Sequence, residues 1–182
     1  MKFGIGMLYG WIYILFFVFV NIILMFIYLK HYTKRIFTIP EFTNAKEKIF
    51  SIIYAFFFNS TMVLVYFLPI STGINLYIGL AIYIISLFIV ISALYFYAKT
   101  EPSKPVTNGI YKLSRHPQQV FCCIMIIGIG IMVLNIIVII SGIIQLFLMY
   151  PSLVAQENYC IKKYDDDYQK YLFNSPRYFL FI

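Results

Sequence analysis

Long apolar segments follow one another along most of the chain, and short polar stretches separate them. The first three segments have the roughly 20 residues that a helix needs to cross the hydrocarbon core of a bilayer, and the last two are shorter. Backbone groups in that environment are satisfied within a helix, so the pattern predicts that each segment is helical. The predicted spans are about 7–29, 49–69, 74–98, 117–133 and 136–155.

The last two spans lie on either side of Asn135. An Asn between two apolar helices is typical of a tight turn, so these spans are predicted to form a C-terminal helical hairpin. Small residues along them would allow the two arms to approach closely. These residues are Gly128, Gly130, Ser141 and Gly142.

A helical periodicity also marks the polar tail after the hairpin. One acid and several aromatic or apolar residues recur there at steps of three and four, which places them on one face of a helix. The other faces carry most of the charge, so the tail is predicted to be an amphipathic cytosolic helix. The residues of the shared face are Glu157, Ile161, Tyr164, Tyr168 and Tyr171.

The composition agrees with a membrane location. The chain is 62% hydrophobic and only 12% charged, whereas a soluble domain carries about 25% charged residues. The sequence therefore predicts an all-α protein, a polytopic membrane helical bundle of about five transmembrane helices. We expect residues 1–182 to form a single integral membrane domain.

Charged residues are confined to one side of this predicted bundle. All but one of the 14 Lys and Arg fall in the loops 30–48 and 99–116 or in the tail, and so do all seven Asp and Glu. The positive-inside rule then places the C-terminus in the cytosol and the N-terminus outside. The predicted membrane is the plasma membrane in a prokaryote or the endoplasmic reticulum in a eukaryote.

The net charge of +7 does not point to nucleic acid. The basic residues lie at helix ends, where they orient the protein and contact the headgroups of membrane lipids. The three cysteines, Cys122, Cys123 and Cys160, form no C-x-x-C motif, and the two histidines are far from a metal-ligand spacing. We therefore predict neither a nucleic-acid partner nor a metal.

Candidate chemistry begins at Arg115-His116-Pro117, where the fourth span starts. Proline is favoured at the first helical position, which makes His116 the predicted N-cap. The helix then directs free N–H groups and the positive end of its dipole toward the cytosol. With Arg115 beside it, this end can bind a carboxylate or a phosphate. The alternative is that Arg115 only contacts lipid headgroups.

Glu157 is the second candidate. An acid on the apolar face of a helix beside a membrane needs a cationic partner or a ligand. Arg115, Arg177 or a bound cation could fill that role. The alternative is a Glu–Arg pair with a structural function only.

These residues belong to two motifs that resemble those of the membrane methyltransferases, a family that includes isoprenylcysteine carboxyl methyltransferase and the phospholipid N-methyltransferases. The family patterns are G-x-Y-x-x-x-R-H-P-x-Y and, roughly 40 residues later, E-E-x-x-L-x-x-x-(F/Y)-G-x-x-Y-x-x-Y, followed by P-R. The resemblance covers about 106–179, the expected cofactor-binding part. The matching residues are Gly109, Tyr111, Arg115, His116, Pro117, Glu157, Tyr164, Tyr168, Tyr171, Pro176 and Arg177.

The chain departs from the family patterns at several positions. Gln119 replaces the tyrosine after His-Pro, Gln156 replaces the first acid of the pair, and Asp165 replaces the glycine of the tail. The two glutamines keep the ability to form hydrogen bonds but lose an aromatic face and a charge.

The resemblance implies S-adenosylmethionine as the cofactor and a lipid-like methyl acceptor, with an isoprenylcysteine carboxylate as the leading candidate. It implies catalytic roles for Arg115 and Glu157. Phospholipid amines and small thiols are the alternative acceptors, and a non-catalytic membrane protein that retains the fold is the alternative to an enzyme. The residues expected to bind the cofactor are Tyr111, Arg115, His116, Pro117, Gln119, Glu157, Tyr168 and Arg177.

Overall fold

The computed structural model describes residues 10–27 and 45–178, and the regular elements within them are helices, as the sequence predicts. The ends of the first predicted span and most of the predicted loop 30–48 lie outside these residues. The elements are α1 (Trp11–Ile27), α2 (Ala45–Tyr66), α3 (Ile74–Lys99), a 3₁₀ turn (Gly109–Lys112), α4 (Pro117–Met132), α5 (Ile136–Leu148), α6 (Tyr150–Tyr164) and α7 (Asp166–Asn174).

The outer surface of the bundle is apolar. Phe56, Phe88 and Phe147 are each more than 70% exposed, together with many Ile and Leu side chains. Such a surface suits lipid and not water. Three helical stretches are long and apolar enough to cross a bilayer, namely α2, α3 and the nearly continuous run of α5 and α6. This confirms a helical membrane bundle, whereas the number of spans and their orientation stay predictions.

Helices α3 and α4 cross closely at Gly79 and Gly128. A Cβ atom on Gly79 would lie 2.5 Å from the carbonyl oxygen of Gly128, and one on Gly128 would lie 3.0 Å from the carbonyl oxygen of Gly79. Only glycine allows this crossing. Gly128 thus packs against α3 and not, as the sequence predicts, against the other arm of the hairpin.

The predicted hairpin of α4 and α5 is confirmed. The Asn135 side chain caps α5, since its Oδ1 accepts hydrogen bonds from the N–H groups of Ile137 (3.0 Å) and Val138 (3.2 Å). The N–H of Asn135 donates to the carbonyl of Gly130 at 3.0 Å. A Cβ atom on Gly142 would lie 2.6 Å from the Ile127 side chain, so this glycine sets the spacing of the two arms.

A buried polar network joins α2 to α5. The Gln145 amide donates to the hydroxyls of Thr61 at 3.1 Å and Ser141 at 2.9 Å, and the Thr61 hydroxyl donates to the Phe57 carbonyl at 2.8 Å. Interhelical hydrogen bonds of this kind stabilise the packing of helices in a membrane.

The predicted fifth span and tail helix are each interrupted. Pro151 has no N–H to continue the hydrogen bonding of α5, and the helix is interrupted at Met149 before α6 begins at Tyr150. Asp165 then separates α6 from α7 with a φ of 47°, a backbone conformation that favours glycine. The tail is therefore two short helices and not the single helix that the periodicity predicts.

Replacing Asp165 by glycine is expected to stabilise the protein. The exchange relieves a backbone conformation that costs a non-glycine residue about 1 kcal/mol, so the midpoint of thermal unfolding in detergent should rise. Asp167→Gly is the matched control, because this residue lies inside α7 and glycine there lowers helix stability. A lower midpoint for Asp165→Gly than for the wild type would contradict this account of the break.

Candidate functional site

The N-terminus of α4 is formed as the sequence predicts. Pro117 is its first residue, His116 is the N-cap, and no side chain caps the helix among the described residues. The N–H groups of the first turn are therefore available to a ligand. The side chains of Gln118 and Gln119 in this turn line a cleft.

Residues 175–178, here called the C-terminal strap, hold the segment before α4 in place. The N–H of Arg115 donates to the Pro176 carbonyl at 2.9 Å. The Ser114 hydroxyl donates to the Arg177 carbonyl at 3.3 Å. The strap is itself held by Tyr178, whose hydroxyl donates to the Leu146 carbonyl at 3.1 Å. Residues far apart in sequence thus fix Arg115 and His116 relative to the hairpin.

Glu157 lies at the centre of a buried ionic cluster. Its Oε1 is 3.1 Å from Nη1 of Arg115, 3.1 Å from Nε2 of His116 and 3.0 Å from Nε of Arg177, and its Oε2 accepts from Nη2 of Arg177 at 2.7 Å. The Glu157 side chain is only 5% exposed. A carboxylate with two guanidinium partners at these distances is ionised.

The pKa values of His116 and Arg177 are shifted in opposite directions. Burial lowers the pKa of His116, although its hydrogen bond to Glu157 acts in the other direction. The ring is therefore neutral near pH 7, and its Nε2–H donates to the carboxylate. The hydrogen bond to Glu157 raises the pKa of Arg177. Two permanent cations thus share one carboxylate, and the cluster has a net positive charge.

A cleft of about 300 Å³ opens beside this cluster, a volume at the lower end of the range for small-molecule sites. Its walls come from the end of α3, the loop before the 3₁₀ turn, the start of α4, α6 and α7. The lining residues are Tyr97, Pro105, Val106, Tyr111, Arg115, His116, Gln118, Gln119, Gln156, Tyr159, Cys160, Lys163, Tyr164, Tyr168 and Tyr171.

The structure brings the predicted site residues together in two layers. Five of them line the cleft, and three lie behind it: Pro117 within α4, and Glu157 and Arg177 in the ionic cluster. The lining residues among the predicted set are Tyr111, Arg115, His116, Gln119 and Tyr168. Their functional roles stay predictions.

Some wall residues carry no signal in the sequence. Tyr97 reads as one aromatic residue among many at the end of a span, and Pro105 and Val106 belong to an irregular loop. The Tyr164 hydroxyl donates to the Pro102 carbonyl in that loop at 3.2 Å. This contact joins the tail to the loop beside the cleft, and no local pattern predicts it.

The tyrosines in the wall of the cleft contact one another. The Tyr171 hydroxyl donates to the Tyr111 carbonyl at 2.6 Å, and the rings of Tyr168 and Tyr171 are 5.6 Å apart. Burial raises the pKa of both phenols, so they stay neutral. Gly109 adopts a φ of 63°, and a Cβ atom there would overlap the Phe96 ring. The first glycine of the motif is thus required by the fold next to the cleft.

A model of the phospholipid methyltransferase family matches residues 68–167, more than half of the chain. The chain belongs to this family. The matched region extends from just after α2 into the first turn of α7 and includes Arg115, His116 and Glu157. No curated protein and no solved structure matches the chain.

This match confirms the relationship to the membrane methyltransferases that the two motifs predict. The membrane location of the chain agrees with the apolar surface of the described helices. No group of three His, Cys, Asp or Glu side chains within residues 10–27 and 45–178 is arranged to hold a metal ion. That no metal takes part stays a prediction.

Gln119 and Gln156, which replace residues of the family motifs, contact each other in this phospholipid methyltransferase family member. Nε2 of Gln119 donates to Oε1 of Gln156 at 3.0 Å, across the space between α4 and α6. Both side chains are half-buried and line the cleft. A Tyr–Glu pair at these positions could make the same bridge with a charge, so the two changes together replace a charged bridge by a neutral one.

The site fits the cofactor that the resemblance implies. Nε of Arg115 is buried without a hydrogen-bond partner among the described residues, while its Nη1 contacts Glu157. A buried N–H without a partner is unfavourable, so a ligand acceptor here is favoured. Aromatic faces, amides and the start of a helix surround the same space, and these groups suit a nucleoside that carries an amino-acid carboxylate.

Proposed function

We propose that this protein is an S-adenosylmethionine-dependent methyltransferase that acts on a lipophilic acceptor in the membrane. The leading acceptor is an isoprenylcysteine-like carboxylate. The observation that carries the proposal is the placement of Arg115 at the open N-terminus of α4, anchored by Glu157, in a cleft lined by tyrosines. Family membership supports it independently.

The residues of the cleft have distinct proposed roles in holding the cofactor. Arg115 and the first N–H groups of α4 would bind its carboxylate. Tyr111 and Tyr168 would face the adenine or the sulfonium. Gln119, with Gln156, would bind polar groups of the nucleoside.

Glu157, Arg177, His116 and Pro117 complete the proposed site. Glu157 contacts Arg115, His116 and Arg177 and does not itself belong to the lining. We therefore propose it as a positioning residue, and Arg115 as the residue that contacts the cofactor. Pro117 would begin α4 at the cofactor site. Arg177, in the C-terminal strap, would hold Glu157 in position through its ion pair.

S-adenosylmethionine, when bound, supplies a methyl group that is already activated on a sulfonium. The protein then has to align the acceptor atom with that carbon and exclude water. The tyrosines that line the cleft would help to exclude water. The segment before α4, which the C-terminal strap holds in place, would help to align the reactants. An acceptor tail would remain between the helices, while the cofactor would enter from the cytosol.

This assignment sets the proposed topology. The cofactor-binding part, about 106–179, would face the cytosol, and the N-terminus would be outside. Residues 1–182 would form one membrane domain. The membrane would be the plasma membrane of a prokaryote or the endoplasmic reticulum of a eukaryote.

Two alternatives have specific support. The name of the matching family favours a phospholipid amine as the acceptor. The replacement of a tyrosine and a carboxylate by Gln119 and Gln156 favours a non-catalytic protein that retains the fold.

One experiment separates these possibilities. Membranes from cells that express the wild type or Arg115→Ala are incubated with S-adenosylmethionine labelled in the methyl group, and the extracted lipids are chromatographed. We expect label in base-labile esters with the wild type only. Label in choline-type lipids would favour the phospholipid amine, and equal label in both membranes would contradict the proposed activity.

A further inference from the structure

A regular line of exposed side chains runs along one side of α2. Its members recur at steps of three and four residues, which places them in line on a helix. The apolar members are between 49% and 72% exposed, and the one polar member is exposed as well. This line, here called the α2 stripe, consists of Ile49, Ile52, Phe56, Asn59, Val63 and Tyr66. It faces the surroundings of the bundle and not its core.

The opposite side of α2 packs into the bundle. Thr61 and Val65 are buried there, and the helix contacts α5 and α6. Of the three stretches that are long and apolar enough to cross a bilayer, α2 has the smallest share of buried residues. Helix α2 therefore lies at an edge of the described bundle, with the α2 stripe open to another helix.

Asn59 is a polar residue in the middle of this apolar line. It stands at the centre of the predicted span 49–69. Its amide donates one hydrogen bond to the Ala55 carbonyl of the same helix at 2.7 Å. The second N–H of the amide and its Oδ1 have no hydrogen-bond partner within residues 10–27 and 45–178. Lipid tails offer neither a donor nor an acceptor, so a polar group of another helix is favoured here.

A second copy of the chain supplies the matching polar group. Two copies that are inserted in the same orientation have Asn59 at the same depth in the membrane. A twofold axis along the membrane normal then brings the two α2 stripes together, and each amide can donate its second N–H to the Oδ1 of the other. A different partner protein would need an amide or a similar group at the same depth.

The spacing of the α2 stripe fits the same contact. Alternating steps of three and four residues are the repeat with which two parallel helices pack side chains into one another along a seam. A single Asn among the apolar positions of such a seam fixes the register and the number of helices. Phe56 and Val63, the neighbouring members of the stripe, would pack on either side of the Asn59 pair.

We infer that the protein forms a parallel homodimer in the membrane through the α2 stripe, with Asn59 of one protomer hydrogen-bonded to Asn59 of the partner subunit. The inference does not depend on the proposed function, since no residue of the α2 stripe belongs to the described lining of the cleft.

Disulfide cross-linking in the membranes of expressing cells tests the contact. Asn59→Cys places a thiol at the centre of the α2 stripe. Phe88→Cys is the matched control, because Phe88 is 72% exposed on another apolar helix, α3. After mild oxidation, non-reducing electrophoresis should show a dimer band for Asn59→Cys. Phe88→Cys should resemble the wild type, whose three free cysteines set the background.

The contribution of the Asn59 amide is measured by energy transfer between differently labelled copies in lipid vesicles as more lipid is added. Asn59→Leu should raise the dissociation constant of the dimer by about tenfold, the size of effect expected for hydrogen bonds between helices in a membrane. Asn59→Gln keeps an amide and should recover most of the affinity, and Phe88→Leu should match the wild type. Asn59 is exposed and bonds only to its own helix among the described residues, so its replacement should leave the fold intact.

Two results would overturn the inference. One is a dimer band for Asn59→Cys that is no stronger than the band for Phe88→Cys, which is the outcome for a face covered by lipid alone. The other is a dissociation constant that Asn59→Leu leaves unchanged. A cross-linked product whose size differs from that of two copies would equally contradict the homodimer, because it would identify a different partner.

Discussion

The variant Glu157→Gln is expected to lose methyl transfer by about 100-fold, because a displacement of roughly 1 Å in a positioned group has an effect of this size. The exchange keeps the shape of the side chain but removes the charge that holds Arg115, His116 and Arg177. The measurement is the initial rate of methyl transfer with purified protein. The thermal unfolding midpoint is recorded in parallel to show that the variant is folded.

Glu157→Asp is the conservative control for this prediction. It retains the carboxylate on a side chain one methylene shorter and should recover part of the lost rate. The affinity for S-adenosylhomocysteine should likewise decrease from the wild type to Glu157→Asp to Glu157→Gln, because Glu157 acts by positioning Arg115. A Glu157→Gln variant that unfolds at a lower temperature but binds this ligand and turns over like the wild type would show that the cluster is only structural.

Arg115→Lys should weaken the binding of S-adenosylhomocysteine by roughly 10- to 100-fold, which corresponds to the loss of a hydrogen bond to a charged group. Lysine keeps the charge but lacks the planar fork of N–H groups with which the guanidinium can contact Glu157 and a ligand carboxylate together. Calorimetric titration of the purified protein measures the change.

Lys112→Ala provides the comparison for Arg115→Lys. Lys112 is an exposed basic residue three positions earlier, in the 3₁₀ turn. Its loss should leave the dissociation constant within about twofold of the wild type, because exposed charges contribute little. Equal weakening by the two variants would mean that general positive charge, and not the placement of Arg115, governs binding.

The sequence predicts the helices and the hairpin well, because apolar periodicity and capping are local properties. Asn135 is recognisable as a turn residue from its two apolar neighbours, and its side chain does cap α5. Pro117 likewise marks the start of α4. The break at Asp165 is hidden from the periodicity, because a single residue with positive φ leaves the spacing of the tyrosines intact.

The site is predicted only in part, for a physical reason. Arg115 and Glu157 can be paired from the sequence, because a charge on an apolar face requires a partner. The bridge between Gln119 and Gln156 depends on the distance between α4 and α6, which no local pattern contains. The parts of the cleft wall formed by Tyr97 and by the loop 99–108 likewise depend on where the tail packs against the rest of the bundle, which no local pattern contains.

The position of the cofactor is the central claim, and hydrogen–deuterium exchange with and without S-adenosylhomocysteine tests it most directly. We predict slower exchange in residues 109–119 and 156–171 when the ligand is present, with no change at the hairpin turn around Asn135. Protection confined to other segments, or identical exchange in both samples at a saturating ligand concentration, would contradict a cofactor site between α4 and the tail.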